Sequence, residues 1–404
     1  MPVLLYNGWG NYMIKYVGVG ANELDTYLDY AILSIIAVYI LQSKPYEIGI
    51  LGACFAFPFL LSSYLFGRIF DKVSILKWRA FLFIINIIVM PLICLSSTMV
   101  TLYFVAIIKT TSRCGIYISN TKLNINDDES KKFYEIYGYM INFSRVVIPL
   151  VIIFIYHTVG TWGVIAISML LNLVALLSTL SDDKEDYLYT DTKGSAVSAE
   201  YSFYQIVKNN TDLFNLVVAY TLANLAFFLS NDMLSIFFRH LGQSENSVGY
   251  IISLLGIGGF LGTKLAAVLV NDLRAKFILL ISVFINTTAF TCFGYLNPET
   301  TSIYIFYIDI LLVGISSGLT FFSIRYGVRN IVGYQHMGKT TGNIQMLSSI
   351  FAILMPIVGG FIANNFSINF TFKITSFILG MTFVYFILFK DKMHKGNKLY
   401  EKSE

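Results

Sequence analysis

Apolar runs of roughly 20 residues recur from one end of this 404-residue chain to the other. That length carries a helix across the hydrocarbon core of a bilayer. Membrane-spanning barrel strands would be about 10 residues long with alternating polarity, a pattern these runs lack. Composition agrees: 56% of residues are hydrophobic, 13% are charged and the mean hydropathy is +0.68. A soluble domain would carry about 25% charged residues. The expected fold class is an all-α polytopic membrane protein.

Twelve candidate spans are read at 16–41, 46–66, 77–97, 99–120, 134–157, 160–180, 211–236, 247–270, 276–296, 300–324, 339–364 and 367–389. The longest break opens Ser181-Asp182-Asp183-Lys184-Glu185-Asp186 and contains Gly194, Ser195 and Ser198. It reads as a solvated linker. The expected organisation is a six-helix bundle over 1–180, a cytoplasmic linker over 181–210, a second six-helix bundle over 211–390 and a basic cytoplasmic tail over 391–404.

Lysine and arginine set the orientation. With both termini inside, the inner segments hold Arg68, Lys72, Lys77 and Arg79, then Lys122, Lys131 and Lys132, then Arg325, Arg329 and Lys339. The outer loops hold only Lys44 and Arg239. Cytoplasmic loops carry such an excess of basic residues. The N-terminus lacks the layout of a cleaved signal, so the first span is expected to serve as an uncleaved insertion signal. Cys54, Cys94, Cys114 and Cys292 each lie inside an apolar run without a CxxC pair, and read as small buried hydrophobes.

Charge inside the spans is the chemical signal. Asp25 and Asp29 stand four apart on one face of the first helix, and Lys109 and Arg113 do the same on the fourth. Arg145 adds a cation on the fifth helix, Asp309 an acid on the tenth and Lys264 a cation on the eighth. An intramembrane charge costs a few kcal/mol or more unless paired or wetted, and marks ion or substrate paths. A low-dielectric site favours the neutral form of a carboxylate, so Asp29, and next Asp25, can load a proton from one side and release it to the other. The same acids equally suit a structural role as partners for nearby cations. Lys109, Arg113, Arg145 and Asp309 are the candidate substrate-cavity residues, and Asp309 could instead pair with Lys264 in a structural role. Glu23 is expected to be solvated and Lys373 to snorkel outward.

Between the second and third spans stands Gly67-Arg68-Ile69-Phe70-Asp71-Lys72. Pro58 precedes Gly67 by nine residues, and Leu102-Tyr103-Phe104-Val105 precedes Lys109. A weaker echo runs from Gly262 to Asn271-Asp272-Leu273-Arg274, and Gly338, Pro356 and Gly359-Gly360 follow later. Together these residues resemble the major facilitator superfamily of secondary transporters, and within it the drug, macrolide and siderophore efflux branch. The fifth helix departs from the antiporter pattern, with Ile148-Pro149 where Gly-Pro is usual. The resemblance implies that the first and fourth helices line a central cavity, where Asp29 meets Lys109 or Arg113. It also implies a gating role for Gly67, Arg68, Asp71 and Lys72, with Asp71 reaching the start of the eleventh helix near Gly338.

HExxH and clustered histidines are absent from the chain. Gly314–Gly318 matches GxSxG and Gly333–Thr340 matches the Walker pattern in letters only, since neither follows the strand that each motif needs. An enzyme is not expected, nor a bound cofactor, and the energy source is expected to be a proton gradient. The functional expectation is proton-coupled efflux of a small organic solute by alternating access, in a bacterial inner membrane. An antibiotic, a siderophore or a small microcin-like peptide would be its cargo. The alternative is proton-coupled uptake or facilitated transport of an organic anion, suited to an excess of cations from Lys109, Arg113 and Arg145. The expected partners are the lipid bilayer and the solute, with no nucleic acid, for a monomeric protein. Asp71→Asn is expected to cut transport while leaving membrane insertion and the size-exclusion profile intact; normal turnover in that variant would return the stretch to an ordinary basic loop.

Overall fold

The computed structural model describes residues 3–70, 74–95, 98–120, 127–181, 203–270, 275–297 and 300–388. Among the described residues thirteen α-helices follow one another. They are α1 (Val3–Ile35), α2 (Pro45–Phe70), α3 (Ile75–Val89), α4 (Met99–Asn120), α5 (Asp127–Val159) and α6 (Thr161–Leu180). After these come α7 (Phe203–Asn209), α8 (Thr211–Ser230), α9 (Met233–His240), α10 (Asn246–Leu269), α11 (Ala275–Tyr295), α12 (Ile303–Asn365) and α13 (Ile368–Leu388).

Ten helical stretches among the described residues are long and apolar enough to cross a membrane, and Pro45–Leu61 forms a shorter apolar one. Helix α1 is long enough to cross as well, at 33 residues, but carries Glu23, Asp25 and Asp29 within two turns. Pro58, Pro149 and Pro356 all sit inside helices. Membrane helices tolerate such prolines because neighbouring groups satisfy the freed carbonyls.

The boundaries differ from the sequence reading at several places. Helix α2 runs through Gly67 and Arg68 to Phe70, so these two lie in a helix and not in a turn. Asp71 and Lys72 lie outside the described residues, as do Asn271–Arg274, most of the expected linker and the whole basic tail. The first span ends in a π-helical turn, Ile36–Ile40. The seventh is broken at Asn231 and Asp232 and resumes as α9. The loop expected over 325–338 is helical, so the apolar stretches Ile303–Val328 and Asn343–Asn365 belong to one 63-residue helix. Charged residues in that segment suggested a loop, but Arg, Lys and Gln all favour helix when wetted.

The chain forms two compact units. Unit one comprises Met1–Thr192 and Phe238–Ser253; unit two comprises Lys193–Phe237 and Leu254–Glu404. In unit one, α1 packs on α5 and α6, α2 on α4, and α3 on α4 and α6. Its core joins Val19, Phe66, Ile75, Leu82, Phe83 and Cys114. All four cysteines are free.

In unit two, α11 packs on α12 and α13, and α8 on α12 and α13. Phe237, Phe290, Phe293, Phe306 and Phe372 are fully buried. The Phe237 ring stands edge-on to Phe306 at 5.2 Å and to Phe372 at 5.3 Å. Asn210 caps α8 by accepting the Leu213 N–H at 3.0 Å.

Helix α10 meets α12 backbone to backbone. A Cβ added at Gly258 would overlap the Leu311 carbonyl oxygen, and one at Gly262 the Ile315 carbonyl oxygen. Across the contact, one at Gly318 would overlap the Gly259 carbonyl oxygen. Small residues let membrane helices approach this closely and gain dispersion contacts. Gly262→Val therefore forces α10 and α12 apart, at a cost of about 1–3 kcal/mol or more. A lowered thermal midpoint of the detergent-purified variant is the expected outcome, with Gly380→Ala, whose added Cβ would meet only Thr287 Cγ2 at 3.6 Å, close to the parent.

Candidate functional site

The polar content of unit one concentrates on one face of α1. Asp25 and Asp29 are one turn apart, as are Lys109 and Arg113 on α4, so four charges meet across one helix contact. Lys109 Nζ lies 2.7 Å from Asp25 Oδ2 and 3.1 Å from Asp29 Oδ1. The second approach is an ion pair without a well-directed hydrogen bond, since Asp29 Oδ1 has no hydrogen-bond partner among the described residues. Arg113 Nη2 lies 3.4 Å from Asp29 Oδ2 and donates to the Thr26 carbonyl at 3.3 Å. Two acids thus balance two bases.

Exposure is unequal across this cluster. The Asp25, Asp29 and Lys109 side chains are 4%, 2% and 1% exposed, against 15% for Arg113. Three of the charges are sealed, and the cluster meets its surroundings through the arginine. Desolvating an ion costs several kcal/mol, which only close pairing and further hydrogen bonds return.

Those further bonds come from α6 and α3. Ser168 Oγ donates to Asp25 Oδ1 at 2.5 Å and lies 3.4 Å from Lys109 Nζ. Asn172 Nδ2 donates to the Ser168 carbonyl at 2.9 Å, and Asn86 Nδ2 to Asn172 Oδ1 at 3.1 Å. A polar file therefore runs from α3 through α6 to the carboxylate of α1. The sequence reading overlooked it, although Ser168 and Asn172 are a polar pair one turn apart in an otherwise apolar span.

Glu23 is buried, contrary to the solvated position expected for it. Tyr137 Oη donates to its Oε1 at 2.9 Å and Asn22 Nδ2 at 3.4 Å. Arg79, counted with the cytoplasmic charges, is also buried. It donates to Asn120 Oδ1 at 2.7 Å, Thr179 Oγ1 at 3.2 Å and Ser119 Oγ at 3.3 Å, tying α3 to α4 and α6.

Arg145 is half-buried on α5 and forms no ion pair among the described residues. In unit two, Asp309 is buried, with Oδ2 unpartnered among the described residues, while Lys264 is exposed. No ion pair joins these two among the described residues. Lys373 Nζ lies 4.7 Å from the centre of the Tyr295 ring. His157, Glu245 and the other described acids and thiols form no group able to hold a metal ion among the described residues.

Helices long enough to span a bilayer, with paired charges sealed between them, define a polytopic membrane protein. The chain belongs to the Major Facilitator Superfamily, whose profile matches residues 24–342 and 216–403. No curated protein sequence matches it. Among solved structures, the nucleoside transporter NupG is similar with a TM-score of 0.75 at 14% identity, over 94% of this chain and 98% of that one. A bacterial homologue of the human lysosomal transporter Spinster gives 0.70 at 14%, over 96% and 99%. A bacterial homologue of the iron transporter ferroportin gives 0.70 at 13%, over 94% and 98%. At these identities the likeness is one of fold.

Removing one member of a buried ion cluster strands its partners. Lys109→Met is expected to destabilise the purified protein by about 3–5 kcal/mol, because two carboxylates lose their shared cation. The double variant Lys109→Met/Asp25→Asn is expected to recover part of that loss. Thermal denaturation of both in one detergent checks the cycle; equal midpoints for Lys109→Met and the parent would mean that the pairs contribute nothing.

Proposed function

We propose that this transporter exports a small organic solute in exchange for protons, with Asp25 and Asp29 as the coupling groups. The observation that carries the reading is Lys109 held between two buried carboxylates. A proton on Asp29 weakens its attraction to Lys109 and Arg113, and protonation of such a pair biases a packed contact between two arrangements. The cluster is neutral when both acids are ionised, and each proton gained makes it net positive. Bound proton and bound cationic solute then oppose each other electrostatically, which is the physical basis of exchange.

Export is supported by Pro58, nine residues before Gly67 as in many drug exporters, and by the resemblance of Gly338, Pro356 and Gly359-Gly360 to the macrolide and siderophore exporters. In this reading the chain has twelve spans in two six-helix halves, both termini cytoplasmic, in a bacterial inner membrane. It works as a monomer by alternating access around a site near the membrane midplane. It binds no cofactor, and the proton gradient drives it.

A second reading is uptake or facilitated transport of an organic anion. Arg145 favours it, as a half-buried cation without an ion pair among the described residues. The buried Glu23 weighs against it, since three acids then offset Lys109, Arg113 and Arg145.

Everted vesicles with an acid interior separate the two readings. Organic solutes of each charge class are added and the internal pH is followed with an acridine dye. At least one neutral or cationic solute is expected to release protons from parent vesicles, and Asp29→Asn to reduce that release to background. Solute movement that persists without a gradient, and equally in Asp29→Asn, would show facilitated diffusion instead.

A further inference from the structure

Unit two contains a cavity of about 120 Å³ between α8, α11 and α12. Asn224 of α8, Ser282 and Asn286 of α11, and Ser316 and Thr320 of α12 form its polar wall. The helical repeat brings Ser282 above Asn286, and Ser316 above Thr320, each one turn apart. Most of these groups satisfy one another. Asn224 Nδ2 donates to its own helix at the Tyr220 carbonyl, at 2.9 Å. Ser282 Oγ lies 3.0 Å from Ser316 Oγ and 2.5 Å from Thr320 Oγ1.

Asn286 is different. Its side chain lines the cavity and is 6% exposed, and its Oδ1 has no hydrogen-bond partner among the described residues. An amide oxygen buried without a donor carries its full desolvation cost. What completes it must bring an N–H or O–H. None of the residues lining the cavity is charged. Phe227 and Phe321 add aromatic side chains to the lining, and the Arg325 guanidinium lies 3.9 Å from the centre of the Phe321 ring.

We propose that this cavity is a binding subsite for an uncharged, flat, ring-bearing group that donates a hydrogen bond. The inference rests on the reading of this chain as a solute transporter and adds the chemical class of the end it recognises. Asn286 Oδ1 accepts from the donor, and the two phenylalanine rings cover the face of the group. A charged end is disfavoured because the walls offer no opposite charge. Drug-sized ligands need about 300–1,000 Å³, so the cavity takes one ring with its polar substituent, not a whole large solute.

Small probes test this on the full chain in lipid nanodiscs by equilibrium dialysis. Benzamide has the ring and the N–H donor, N,N-dimethylbenzamide lacks the donor, and benzoate and benzylammonium carry opposite charges. Benzamide is expected to bind saturably, about tenfold tighter than its dimethyl analogue, as one hydrogen bond allows, and tighter than both ions. Asn286→Leu is expected to erase the tenfold preference, and Asn286→Ala to do the same should the leucine variant fold poorly. Equal binding of the two amides, tighter binding of either ion, no saturable binding, or a preference that survives both substitutions would overturn the subsite and leave Asn286 to water. Proton release from energised vesicles is read separately. Its absence beside an intact benzamide preference would sink proton coupling and not the subsite; the reverse pattern would sink the subsite alone.

Discussion

A lysine in a bilayer is stable only where its charge is answered, and Lys109 is answered twice. Asp25 and Asp29, one helical turn apart, close on its ammonium from α1. The arrangement fixes more than a pair of side chains. It sets the register of α1 against α4, since sliding either helix by one residue would remove both carboxylates from reach. Ser168 then brings α6 into the same register through Asp25, and Asn172 and Asn86 extend it to α3. Four of the helices of unit one are aligned by polar contacts that have nowhere else to go. In hydrocarbon, where apolar burial supplies little driving force between helices, this directional bonding gives specificity.

Unit two relies on shape. Its α10 and α12 touch through Gly258, Gly259, Gly262 and Gly318, and α8 receives Gly359 of α12 against the Leu229 carbonyl. Its polar groups are mostly hydroxyls that bond across neighbouring helices, as Ser230 does with Thr375 and Thr291 with Ser376. Neutral bonds of this kind need no counter-ion and average below about 1 kcal/mol each in membranes. One unit thus holds a charged cluster fixed in register, and the other holds an uncharged polar lining on closely packed backbone.

The helical membrane class was legible from the length of the apolar runs alone. Asp25, Asp29, Lys109 and Arg113 were legible too, because charge in a span is rare and i, i+4 spacing shows a shared face. Their supporting residues were not, for a physical reason. Ser, Thr and Asn occur in spans at little cost when they bond to their own helix, as Thr111, Thr263 and Asn224 do. Their presence therefore does not reveal which ones bond across helices, as Ser168 and Asn86 do. Glu23 misled because a charge near a helix end reads as wetted until a tyrosine from another helix is seen to cover it. The helical course of 325–338 escaped because basic residues mark the cytoplasmic side without marking a break in the backbone.

The balance of two acids against two bases has an electrical meaning. A neutral cluster moving between the two sides of a membrane does no work against the membrane potential. A cluster carrying one extra proton does, at roughly 2.3 kcal/mol per charge per 100 mV if it crosses the whole field. With proton exchange at this site, voltage would therefore act on the proton-loaded half of the cycle, while the return half would feel only the charge of the cargo. For an uncharged cargo such a site would convert stored voltage into direction, and Lys109 and Arg113 together, by cancelling Asp25 and Asp29 beforehand, would set the zero from which that conversion starts.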